Sequence, residues 1–96
     1  MYTASAKLTF YIQHSFSLKD KRQIRRSLTD KARHKFNASI AEVGTQDSHQ
    51  ILTIGIALVS GDNSHAQQSL DNIICFMEEH TDAELTEVEL ECYTQG

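Results

Sequence analysis

The sequence predicts an α+β fold of the ferredoxin-like βαββαβ plan, two helices covering one face of a four-stranded antiparallel sheet of order 4-1-3-2. Three observations predict it. Residues 2–13 alternate polar and apolar; segments 18–36 and 64–80 carry apolar stripes at helical spacing; strand-like runs at 38–43, 51–59 and 85–93 complete the order. The 96 residues contain no repeat and no proline, and read as one domain, 1–96. That length buries about two thirds of the unfolded chain's surface. With 40% apolar and 23% charged residues, the composition is that of a folded protein rather than a disordered one.

In the first strand Tyr2, Ala4, Ala6, Leu8, Phe10 and Ile12 share the buried face. His14 to Phe16 turns the chain, and Ser17 is placed as an N-cap with Asp20 as its capping-box acid. Ile24, Leu28 and Ala32 then form the helix stripe, with Leu18 and Phe36 at its edges and Asn37 as the stop. Strand two, 38–43, is irregular, with Glu42 at a bulge or strand end. Gly44 to Ser48 is a hairpin loop. The third strand is apolar on both faces, which suits a central position. The second helix stripes Ala66, Leu70, Ile73, Ile74 and Met77, leaving Cys75 partly exposed. The last strand is expected to turn Val88, Leu90 and Cys92 inward and Glu87, Glu89 and Glu91 outward.

Charge is the main functional clue. Ser17 to Phe36 holds eight of the nine Lys and Arg and two of the thirteen acids, a net +6 against −10 for the rest of the chain. Lys19, Arg22, Arg26 and Arg33 fall within roughly 60° on a helical wheel of 3.6 residues per turn. Lys21 and Arg25 lie nearer the apolar stripe, where they either snorkel or are held by a carboxylate. Pairing of Lys21 or Arg22 with Glu42 or Asp47 is the expected arrangement there. A one-signed face steers a partner of opposite sign, so Lys19, Lys21, Arg22, Arg25, Arg26 and Arg33 are the candidate partner-binding residues. The plain alternative is a solvated helix face balanced by an acidic sheet.

Other chemistry is sparse. There is no GxSxG, Walker loop, HExxH or CxxC, and no nucleophile with a base placed beside it, so catalysis is not expected. Cys75 and Cys92 have no zinc spacing, which fits a reduced, cytoplasmic setting. The N-terminus lacks a signal-peptide pattern, and no apolar run nears the roughly 20 residues of a membrane span. His14, His49 and His80, with Asp47 and Asp82, are assigned to loops at one end of the sheet. A metal site would need three of them to converge, and neither metal nor cofactor is expected. RRM-type stacking on the open sheet face is disfavoured, because strand three offers Thr53, Gly55 and Ala57 where aromatics are needed. The apolar patch there, Ile51 to Val59, suggests instead a homodimer through the open sheet.

The run His14-Ser15-Phe16-Ser17-Leu18-Lys19-Asp20-Lys21-Arg22 resembles the S-L-K-x-K-R helix start of the YlxP-like family of small bacterial proteins. The likeness continues through Phe36 to Val43, Gln46-Asp47 and Ile54 to Ser60. It implies a ferredoxin-like fold and, in several bacteria, a gene position among transcription and translation-initiation factors. It implies no established activity and no catalytic residues. The reading is a non-catalytic binding domain that sets the face of its first helix on RNA or a ribosomal particle. The alternative is a protein–protein adaptor, or homodimeric module, meeting an acidic protein with the same helix.

Overall fold

The alternation of the first ten strand residues decides which side of the sheet is covered. In the computed structural model, which describes residues 1–96, that strand is β1 (Tyr2–Tyr11). It is followed by α1 (Leu18–Lys35), β2 (Ser39–Glu42), β3 (Ile51–Ser60), α2 (Asn63–Glu79) and β4 (Glu84–Thr94). The sheet order is β2-β3-β1-β4, the expected order read from the other side, and every pairing is antiparallel. No helix is long and apolar enough to cross a membrane.

The core lies between the helices and one sheet face. Ala4, Ala6, Leu8 and Phe10 of β1 meet Leu52, Ile54, Ile56 and Leu58 of β3, under Leu28 and Ala32 of α1 and Ala66, Leu70, Ile73 and Met77 of α2. Both stripes bury what their periodicity assigned, with Ile24 and Ile74 partly buried at the margin. An edge-to-face contact between Phe36 and Phe76, centroids 5.4 Å apart, joins the end of α1 to α2.

The caps follow side-chain chemistry closely. Ser17 Oγ accepts from the Asp20 N–H at 3.1 Å, satisfying one of the orphan donors of the first turn. The Asp20 carboxylate accepts the Phe16 N–H rather than that of Ser17, so the reciprocal bond of a capping box lands one residue early. Asp62 caps α2 by accepting the Ser64 N–H at 3.1 Å. Arg33 and Lys35 lie in the last turn of α1, where cations complement the helix dipole. That helix stops at Phe36, one residue before Asn37.

The last strand departs from expectation. Cys92, Leu90 and Val88 stand opposite Ala4, Ala6 and Leu8 and so face the helix side. Yet Val88 is 42% and Leu90 54% exposed, and Cys92 is exposed. The cause is the placement of the helix layer: α2 packs mainly on β1 and β3, and α1 on β2, so β4 is touched only by the margin of α2. Near its start, β4 bulges opposite Thr9 and Phe10, and the Thr86 hydroxyl donates to the Thr9 carbonyl at 3.1 Å. At its far end the two chain termini close the ladder. The Met1 ammonium donates to the Gln95 carbonyl at 2.7 Å, and the Gln95 N–H donates to the Met1 carbonyl at 2.8 Å.

The open face of the sheet is less smooth than its pattern suggested. Thr53 is buried, and Gly55 lies under Val43, whose Cγ1 would stand 3.2 Å from a Cβ added there. The large apolar groups still exposed on this face are Tyr11, Val43, Val59 and Tyr93. The Tyr93 hydroxyl donates to the Glu91 carboxylate; this bond, and the charge behind it, raise the phenol above its ordinary value. Lys7 and Glu89 pair at 3.3 Å beside it.

These burial differences set the first expected outcome. Leu8→Ala empties a fully buried site and is expected to cost about 2–5 kcal/mol. Leu90→Ala, on the uncovered strand, is expected to cost less than about 1 kcal/mol. Urea unfolding of the two variants checks the contrast; equal losses would mean that β4 is roofed.

Candidate basic interface on the first helix

The basic residues of α1 divide into three groups by what their heads meet. Lys19, Arg22 and Arg26 are exposed and have no carboxylate within ion-pairing distance. They lie at i, i+3 and i+7, so one helix face presents all three to solvent.

Arg25 and Arg33 are half engaged. The Arg25 side chain is 31% exposed, with Nη1 3.5 Å from a Glu42 oxygen. The Arg33 guanidinium donates through Nε to the Ile40 carbonyl at 3.1 Å and through Nη2 to the same oxygen. Its Nη1 lies 3.5 Å from Asp30. Arg33 thus caps the outer edge of β2 while leaving about half its surface, 48%, open.

Lys21 is a correction to the candidate set. Its side chain is 1% exposed, and Nζ sits 2.8 Å from a carboxylate oxygen of Glu42, whose side chain is 4% exposed. The same Nζ donates to the carbonyls of Thr45 and Ile51. An ammonium that has lost its water needs this many acceptors, and in finding them it leaves the surface. The expected carboxylate tie is therefore made by Lys21 and Glu42, while Arg22 and Asp47 stay exposed and unpaired. Glu42 also accepts from the Thr45 hydroxyl at 3.1 Å, so one carboxylate joins α1, the end of β2 and the following loop. Gly44, at φ +78°, lets that loop turn back over the pair.

Between α1 and β2 lies a groove of about 460 Å³, walled by Arg25, Arg26 and Arg33 on one side and Ala41, Glu42 and Gln46 on the other. Three guanidinium groups face two carboxylates there, Asp30 and Glu42, and Glu42 is already committed to Lys21. Arg26 has no such partner. Thr29, on its floor, spends its hydroxyl on the Arg25 carbonyl at 2.9 Å and has no proton left for a ligand. The groove was not read from the sequence. Thr29 was accessible to that reading, one turn beyond Arg25 and Arg26; Gln46 was not, because its position depends on the path of a loop.

The histidine end does not assemble. No group of three or more His, Cys, Asp and Glu gathers at metal-binding distance. His80 stacks on Phe76 at 3.9 Å, and its Nδ1 is 2.8 Å from the Phe76 carbonyl. His14 and Asp82 line a separate pocket of about 390 Å³ with Ile12 and Ile24.

A family model described as "Protein of unknown function (DUF503)" matches residues 3–90. The chain belongs to this family. A relative in Bacillus subtilis (strain 168), "Uncharacterized protein YlxP", is 34% identical over 70 residues, which cover 73% of this chain and 76% of that one. Among solved structures, a de novo designed protein with ferredoxin fold superposes with TM-score 0.58 at 15% identity, covering 99% of this chain and 88% of the design. The designed protein Foldit4 superposes with TM-score 0.52 at 9% identity, covering 99% and 98%. At these identities the two designs speak for the fold alone.

The buried pair gives the second expected outcome. Lys21→Met leaves the buried Glu42 carboxylate with only the long Arg25 contact as its ion pair and is expected to cost about 3–5 kcal/mol in urea unfolding. Adding Glu42→Leu to it is expected to recover much of that loss. A double variant no more stable than the single one would contradict the account.

Proposed function

We propose that this chain is a non-catalytic binding domain that places the exposed face of α1 on the phosphates of RNA, ribosomal RNA included. The observation that carries the reading is the row Lys19, Arg22 and Arg26, exposed on one rigid face and neutralised by no carboxylate. Basic side chains of this kind position a protein on a nucleic-acid backbone without reading sequence. The neighbouring groove with Arg25 and Arg33 widens the positive surface. A cytoplasmic setting suits both the partner and the two free cysteines. The acids of β4, at the far edge of the sheet, would turn a phosphate backbone toward α1 and away from the open face.

Lys19→Glu, Arg22→Glu and Arg26→Glu together spare the ties of Lys21 and Arg33, so the variant is expected to stay folded. It is expected to bind structured RNA and small ribosomal subunits at least about tenfold more weakly at physiological salt. Its log K versus log salt slope should be shallower by about 2–3, from about 0.7 on single strands to about 0.9 on duplex for each lost phosphate contact. Unchanged affinity in the folded variant would sink the reading. Wild-type binding that vanishes by physiological salt would favour an acidic protein on the same helix face.

The proposal includes a homodimer through the open sheet, for which Val59, 65% exposed, is the most exposed aliphatic group. Sedimentation equilibrium is expected to show a dimer for the wild type and a monomer for Val59→Asp.

A further inference from the structure

The two edges of the sheet are treated in opposite ways. The ladder phase shows it. Val43 donates to Thr53 across β2 and β3, so Ile40 and Glu42 turn their backbone groups outward. Both outward carbonyls are taken: Ile40 by the Arg33 guanidinium, and Glu42 by the Gln46 side-chain amide at 3.4 Å. β2 is also only four residues long. This edge is closed by the devices that proteins use to blunt an edge.

At the other edge, Met1 and Gln95 exchange both backbone bonds. Counting back by twos along the register, Tyr93, Glu91, Glu89 and Glu87 bond to β1, and Val88, Leu90 and Cys92 turn their N–H and C=O groups outward. No side chain reaches these groups. β4 runs eleven residues and contains no Pro, Lys or Gly. The residues with outward backbone are the same ones whose side chains lie uncovered on the helix side, beside a groove of about 420 Å³ under α2 that includes Leu70, Leu90 and Cys92. On the opposite face Glu87, Glu89 and Glu91 form a ladder in which only Glu89 has a cation, Lys7.

A second copy fits this edge poorly. In an antiparallel β4–β4 pair, every register that lays Val88 or Leu90 on the partner's Val88, Leu90 or Cys92 also sets a glutamate opposite a glutamate. The register centred on Cys92 avoids this, but it sets Leu90 against Thr94 and runs Val88 out to Gly96. Self-pairing is frustrated; a strand with cations opposite the glutamates is not.

We propose that the free edge of β4 receives an extended segment of another protein in which apolar residues alternate with Lys or Arg, added as a fifth strand. Main-chain bonds to Val88, Leu90 and Cys92 would hold it, apolar side chains would cover theirs, and cations would face Glu87, Glu89 and Glu91. This surface lies at the opposite edge of the sheet from α1 and is independent of the RNA reading.

The test uses the full ¹⁵N-labelled chain and a synthetic amidated peptide of four Val-Lys repeats ending in Val. Binding is expected to slow hydrogen exchange at the amides of Val88, Leu90 and Cys92. A peptide of the same composition, with its valines and lysines in blocks, should bind about tenfold or more weakly, because only alternation matches the pleat. Glu87→Lys with Glu91→Lys should lose affinity by a similar factor, leaving the Lys7–Glu89 pair in place. Leu90→Lys, at an exposed site, gives a second folded variant that should also bind weakly. Equal affinity for the blocked peptide would overturn the proposal, as would unchanged exchange at the three amides. So would protection of those amides in the free chain together with a dimer in sedimentation, since a second copy would then hold the edge.

Discussion

The packing of α1 depends on one buried charge pair. Lys21 and Glu42 are both withdrawn from water, and isolated burial of either would cost several kcal/mol. Together, with the Thr45 and Ile51 carbonyls and the Thr45 hydroxyl completing their hydrogen bonds, they are satisfied in one geometry only. That geometry fixes the helix against the end of β2 and the loop that follows. A pair of leucines would hold the two elements more loosely in rotation, because apolar contact has no direction. Here the direction of the pair sets which residues of α1 face outward, and hence the row Lys19, Arg22 and Arg26.

Tying α1 to β2 also positions the helix layer over one side of the sheet. The roof covers β2, β3 and β1, and β4 meets only its margin. The charges divide along the same line, cations on the helix beside one edge and glutamates on the strand at the other. A molecule with net charge −4 therefore carries a field that changes sign across its width.

Much of this was legible in the sequence, for a stated reason. Period two in β1 and the four-residue spacing of Ile24, Leu28 and Ala32 report directly on which side of an element is apolar, and the fold follows. The proximity of Lys21 to that stripe was also legible, and with it the need for a carboxylate. What periodicity cannot report is whether another layer lies over a given face. Val88, Leu90 and Cys92 alternate as core residues do, and only the lateral position of α2 decides that they are uncovered. The same limit applies at the basic helix. Lys21 and Arg22 are neighbours of one charge, yet one is buried and the other free, because they sit about 100° apart around the helix. Arg33 as a cap on β2 was not legible at all, since its acceptor is a backbone oxygen of a strand seven residues away.

The pairing of β1 with β4 has a consequence for how the sheet forms. β1 is an inner strand, and one of its two neighbours is β4, the last of the four strands in chain order. Met1 is bonded to Gln95, so this ladder closes between residues 94 apart in sequence. Until β4 docks, one edge of β1 presents unpaired backbone groups to its surroundings. Contacts this distant in sequence are slow to form and expose the nascent chain to association with others. The docking of β4, rather than the completion of either helix, is the step that completes this sheet.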